Sequence, residues 1–196
     1  MRIAEFSRKT KETDIKLKLN LDGSGVFKGE TTCGFLDHML NSFCKHSRFD
    51  IEIDAKGDTY VDFHHLTEDI GIALGTAYRN ALGDMKGITR FGYFILPMDE
   101  ALVLTSVDIS GRAMSCFTLN IPAEQIGNGF DTELCQEFWV AFARNAALTL
   151  HIRQLAGINS HHIIEAVFKS CAKSLKQAAA IDPSAGDEIP SSKGVL

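Results

Sequence analysis

The feature that most constrains the fold is a set of periodicities that occurs twice in the same order. Residues 14–21, DIKLKLNL, alternate strictly and put Ile15, Leu17, Leu19 and Leu21 on one face, which predicts a half-buried strand. The turn signal Asp22-Gly23-Ser24-Gly25 ends it, and alternation in Arg2–Arg8 predicts a partner strand before it. Residues 34–46 carry Phe35, Met39 and Phe43 at helical spacing. Phe49, Ile51 and Ile53 alternate again, and 65–83 reads as a second helix. The second half repeats the order with strand-like stretches at 99–109 and 113–121, a helix at 131–146, a strand at 147–154 and a helix at 162–180. Two ββαβα units predict a duplicated α+β fold with pseudo-twofold symmetry, the helices packed on one face of each sheet. The halves fall at 1–86 and 87–181. Residues 182–196, rich in Pro, Gly and Ser, form a tail with no packing signal of its own.

With 196 residues, 45% of them hydrophobic, the chain is long enough to bury a core. The net charge of −5 argues against nucleic acid or an anionic membrane as the main partner. No apolar run approaches the ~20 residues of a membrane helix. The opening MRIAEFSRKTKETD lacks the apolar core of a signal peptide. Five scattered cysteines without a C-x-x-C fit free thiols in a reducing compartment. A cytoplasmic protein is expected.

The chemistry lies in the histidines. His64-His65-Leu66-Thr67-Glu68 opens one closing helix and His161-His162-Ile163-Ile164-Glu165 opens the other. On a helix, neighbours point about 100° apart whereas i and i+4 share a face. The paired imidazoles therefore cannot converge on one ion, and the arrangement suits two ions, each taking one histidine of a pair. Imidazole plus carboxylate favours Mn, Fe, Co or Zn over Ca or Mg. Ligating a cation also keeps imidazoles neutral at a helix N-terminus, where imidazolium would oppose the macrodipole. With His38 and His151 the set becomes six histidines and two glutamates, divisible into two sites of three His and one Glu. The seventh histidine, His46, reads as structural. Arg90, Arg112, Lys169, Ser191 and Lys193 are candidates to cradle a phosphate, although spacing alone does not bring them together.

Several motifs together resemble the imidazoleglycerol-phosphate dehydratase family. They are FLDHML (35–40), DFHHLTEDIGIALG (62–75), RFG (90–92), PMDEAL (97–102), DISGR (108–112), HIRQLAGINSHHIIEAVFKS (151–170) and IPSSKG (189–194). The resemblance runs from residue 7 to the C-terminus, with Ser47 standing where the family often has Gly. It implies dehydration of D-erythro-1-(imidazol-4-yl)glycerol 3-phosphate to imidazole-acetol phosphate in histidine biosynthesis, with two Mn²⁺ per subunit. It also implies trimers assembling into a 24-subunit shell with active sites between subunits. Carried over, the ligands are His38, His64, His65, Glu68, His151, His161, His162 and Glu165. The phosphate contacts are Arg90, Arg112, Lys169, Ser191 and Lys193, and Glu12 matches a glutamate that reaches the site from a neighbouring subunit.

The substrate's C2 proton has no carbonyl beside it, so direct abstraction is slow. A ring bound at both nitrogens becomes an imidazolate whose electrons can expel the hydroxyl on the adjoining carbon. Loss of the C2 proton then gives an enol and finally a ketone. Metals are expected to act as Lewis acids and template, and a glutamate such as Glu12 is the candidate acid/base, with Glu68 and Glu165 at the metals. The same ligands would serve a dimetal hydrolase, which instead releases phosphate.

Overall fold

The computed structural model describes residues 1–196. The first half contains β1 (Ile3–Lys9), β2 (Thr13–Asn20), β3 (Phe27–Glu30), α1 (Gly34–Ser47), β4 (Asp50–Gly57) and α2 (His64–Leu82). The second contains β5 (Phe91–Met98), β6 (Ala101–Asp108), β7 (Met114–Thr118), β8 (Gln125–Ile126), β9 (Phe130–Asp131), α3 (Leu134–Ala146), β10 (Thr149–Ala156) and α4 (Ser160–Ala179). The two four-stranded sheets run β1-β2-β4-β3 and β5-β6-β10-β7, each antiparallel except for its last pair. Identical strand order and direction in both sheets is the structural form of the duplication; only the β8–β9 hairpin lacks a counterpart.

Each four-stranded sheet holds one strand more than the ββαβα expectation, and the second half adds the β8–β9 hairpin. β3 has four residues at a sheet edge, too few to show a period. β5 reads FGYFILPM because its outward side is apolar as well, which erases the alternation. The strand expected from residue 99 starts at Ala101, since Asp99 and Glu100 make the turn between β5 and β6.

The inward faces of the strands are the alternating apolar positions, Ile15, Leu17 and Leu19 on β2 against Ile51 and Ile53 on β4. The helices lie between the sheets, α2 against α3 and α1 against α4, so each half covers the other. One core of 48 buried residues results, with Phe43 6.0 Å from Trp139 and Tyr78 5.6 Å from Phe142 across the joint. The tail is tied down by polar backbone contacts, which leave no periodicity to read. Gly87 N–H donates to Glu188 O, Asp182 N–H to Gly87 O, and Arg90 Nη1 to Pro190 O. No helix is long and apolar enough to cross a membrane.

Candidate metal centre

The N-terminus of α4 is set by Asn159, whose side-chain oxygen accepts the N–H groups of His161 and His162 at 2.9 and 3.2 Å. One turn further, Glu165 comes under His161, with Nε2 3.1 Å from Oε2. Helix α1, packed on α4, brings His38 Nε2 to 3.5 Å from the same oxygen. The ligand atoms of His38, His161 and Glu165 lie within 4.8 Å of one another. Glu165 is buried while His38 and His161 are partly open to solvent, so the cluster faces outward from a fixed base. Burial pushes the Glu165 carboxyl up, but Lys169, donating to Oε1 at 2.8 Å, and the nearby His38 outweigh it and hold the group below its ordinary value. Two imidazole nitrogens and a carboxylate oxygen at this separation fit a first-row divalent ion.

Within each pair the imidazoles diverge as the spacing requires. Ring centroids and interplanar angles are 6.2 Å and 81° for His64–His65, and 6.4 Å and 84° for His161–His162. The second histidine of each pair meets a carboxylate from outside its helix. His65 Nδ1 lies 3.2 and 3.1 Å from the two Asp58 oxygens, and 3.9 Å from Glu12. His162 Nδ1 lies 2.7 Å from Glu100 Oε2, while Glu100 Oε1 accepts the N–H groups of Ile158 and Asn159. The bond from His162 holds the Glu100 carboxyl down at about 2, and those to Asp58 and Glu100 raise His65 and His162 respectively.

The remaining candidates are distributed as follows. His64 and Glu68 sit half-buried on the first two turns of α2, and Phe63 just before them lines a cavity of about 320 Å³ with His38 and His161. His151 stands exposed in the middle of the outer face of its sheet, in register with Ser106 and Cys116, and is not brought to the His38 cluster. Arg90 is held by Asp108 at 2.8 Å and by the tail carbonyl of Pro190 at 2.7 Å. Ser191 and Lys193 form the next turn of that tail, and Arg112 bonds the Ser110 carbonyl close to where Leu196 meets Gly111. Lys169 lies at the far end of β5, touching Met98, whereas Arg90 lies beside Ala178. Within this chain the two side chains have different partners, Lys169 bonding Glu165 and Arg90 bonding Asp108 and the tail.

Three residues that were not candidate ligands or phosphate contacts also lie in this region. His46 lines a cavity of about 540 Å³ with His38, Asn41, Lys45, Glu165 and Lys169, and is lowered by burial and by Lys169 and Lys173. Asp58 and Glu100 lie in turns, where no periodicity connects them to the histidines; only the PMDEAL motif contained one of them.

A duplicated α+β scaffold with imidazoles and a carboxylate gathered at a helix start defines the class of this protein: one with a histidine-carboxylate site able to hold a metal ion. The imidazoleglycerol-phosphate dehydratase family model matches residues 31–175. The imidazoleglycerol-phosphate dehydratases of Synechococcus sp. (strain WH7803) and Azorhizobium caulinodans are each 55% identical over 196 residues, covering 100% of this chain and 96% and 99% of theirs. The solved structure of the dehydratase from Staphylococcus aureus has a TM-score of 0.83 and 38% identity, covering 91% of this chain and 99% of that one. The one from Pyrococcus furiosus, in complex with (S)-C348, also has a TM-score of 0.83, with 41% identity, 97% of this chain and 100% of that one. The chain belongs to the imidazoleglycerol-phosphate dehydratase family. It is accordingly a hydro-lyase, and the family's reaction is a dehydration in histidine biosynthesis.

Proposed function

We propose that this chain converts D-erythro-1-(imidazol-4-yl)glycerol 3-phosphate to 3-(imidazol-4-yl)-2-oxopropyl phosphate in the cytoplasm, with two Mn²⁺ per subunit. The observation that carries the reading is the His38–His161–Glu165 cluster, at a helix start whose H-H-x-x-E pattern recurs at α2. In the proposed division, each first histidine shares an ion with the glutamate four residues on, and each second histidine, turned away, serves the other ion. One site is then His38, His161 and Glu165 with His65 from a neighbouring copy. The other takes His64, Glu68 and His162, with His151 as the remaining candidate ligand.

When bound, the ions would supply Lewis acidity toward the imidazole ring of the substrate. The protein's own residues place the substrate and move protons. The hydroxyl on the ring-bearing carbon leaves as water after taking a proton, and the C2 proton passes to a base, leaving an enol that becomes the ketone. Glu12, exposed and 3.9 Å from His65, is the proposed acid/base. Arg90, Arg112, Ser191 and Lys193 in the tail region hold the phosphate, and Lys169, which bonds Glu165 within this chain, is the further contact.

The two sheets differ in a way that supports self-assembly. Across the first sheet's outer face, Glu5, Lys18, Glu52 and Lys28 alternate in sign in one row. Across the second, Phe91, Tyr93, Ile95 and Met114 are half to two-thirds exposed around His151. An apolar sheet face of this kind marks an interface, and we assign it to contacts within the trimers that build a 24-mer. The test is to incubate the manganese-loaded protein with the substrate. Ketone formation without release of inorganic phosphate is expected; phosphate release without ketone overturns the reading in favour of a hydrolase.

A further inference from the structure

We propose that Asp58 and Glu100 are positioning residues that hold the second histidine of each H-H-x-x-E motif by Nδ1 and so aim its Nε2 at a metal ion. This rests on the metal-holding reading above. The first histidine of the second motif already has an on-helix partner, since Glu165 lies one turn below His161. The ring of the second histidine stands at 84° to that of the first, with centroids 6.4 Å apart, and its hydrogen-bond partner, Glu100, comes from outside α4. An imidazole left free there would rotate about its side-chain bonds and exchange tautomers. A carboxylate on Nδ1 fixes both and makes Nε2 a more basic donor.

Both copies of the motif meet this need, but with carboxylates from different places. Glu100 is fixed at one oxygen by the N–H groups of Ile158 and Asn159, at 3.2 and 2.7 Å, and gives the other to His162 at 2.7 Å. Asp58 presents both oxygens to His65, and its backbone N–H donates to Glu12 O, which ties it to the β1–β2 turn. The sheet order makes that turn the counterpart of the β5–β6 turn holding Glu100. Glu12 and Glu100 are thus counterparts in the duplication, each beside the second histidine of its own half. In the first half Asp58 occupies Nδ1, which leaves Glu12 at 3.9 Å and available for proton transfer. In the second half Glu100 does the holding itself. One ancestral position has been divided between chemistry and support.

The test is titration of the full-length, metal-free chain with Mn²⁺, following free Mn²⁺ by electron paramagnetic resonance, with the metal-free melting temperature measured alongside. The wild type is expected to take two ions per chain. Asp58→Ala and Glu100→Ala should each weaken one of the two sites by about 10- to 100-fold, leaving the other within about twofold. Asp58→Asn and Glu100→Gln keep an acceptor oxygen and should recover part of that loss. Glu100→Gln also keeps an acceptor for the two backbone N–H groups, so it remains informative if Glu100→Ala fails to fold. Wild-type affinity at both sites in Glu100→Gln and in both alanine variants overturns this inference alone. A wild-type chain that binds no Mn²⁺ overturns the metal reading and this inference with it.

Discussion

At the scale of single residues, placement and charge state are set by neighbours that spacing only partly reveals. His38, His161 and Glu165 were legible because two of them are four apart on a helix and the third sits in a recognisable motif. Asp58 and Glu100 were not, because the histidines they meet lie on other elements. Glu12→Gln should lower kcat by about 10²- to 10⁴-fold with both metals still bound; near-normal turnover removes it from the acid/base role. Lys193→Ala should raise the substrate KM about tenfold at little cost in kcat, as expected for a lost phosphate contact. An unchanged KM means the tail does not touch phosphate.

Asp50 gives a pH prediction. Its Oδ1 accepts the N–H groups of Ser24, Gly25 and Val26 at 2.8, 2.9 and 2.9 Å. Burial pushes its carboxyl up, but those bonds outweigh it and hold the folded value below the ordinary 3.8. The carboxylate therefore contributes stability above that ordinary value and loses it as the pH falls through the folded one. Asp50→Ala should cost about 1–3 kcal/mol at neutral pH, and the difference should shrink in denaturant unfolding of the metal-free protein at the most acidic pH it tolerates.

At the scale of elements, the helices and the half-buried strands followed their periods, while β3 and β5 did not announce themselves. A short edge strand and a strand apolar on both faces carry no alternation, and that loss has a physical cause in each case. Helix packing adds a constraint of its own. Added Cβ atoms at Gly71 and Gly75 of α2 would stand 2.6 and 2.4 Å from the carbonyl oxygens of Phe138 and Phe142 on α3. These two glycines let the halves approach across the joint. Gly75→Ala should destabilise the fold by about 1–3 kcal/mol, read as a lowered melting temperature of the metal-free chain.

At the scale of the whole molecule, the exposed apolar residues of the second sheet look like core residues in the sequence, so the surface they form emerges only when the sheet is assembled. Cysteine labelling examines that surface. Burial pushes the thiols of Cys44 and Cys135 up to about 12 and raises those of Cys33 and Cys171 as well. Cys116 is exposed beside His151. A dissociated chain should react rapidly at one thiol and the assembled particle at none; rapid labelling of Cys116 in the particle would place the interface elsewhere.

The central claim is that His38, His161 and Glu165 hold an ion completed by a second copy of the chain. Anomalous scattering from crystals of the manganese-loaded protein tests it most directly. Two manganese peaks per chain are predicted, one bonded to all three residues and to a histidine of the neighbouring copy. Full manganese loading with no peak at that cluster would contradict the account.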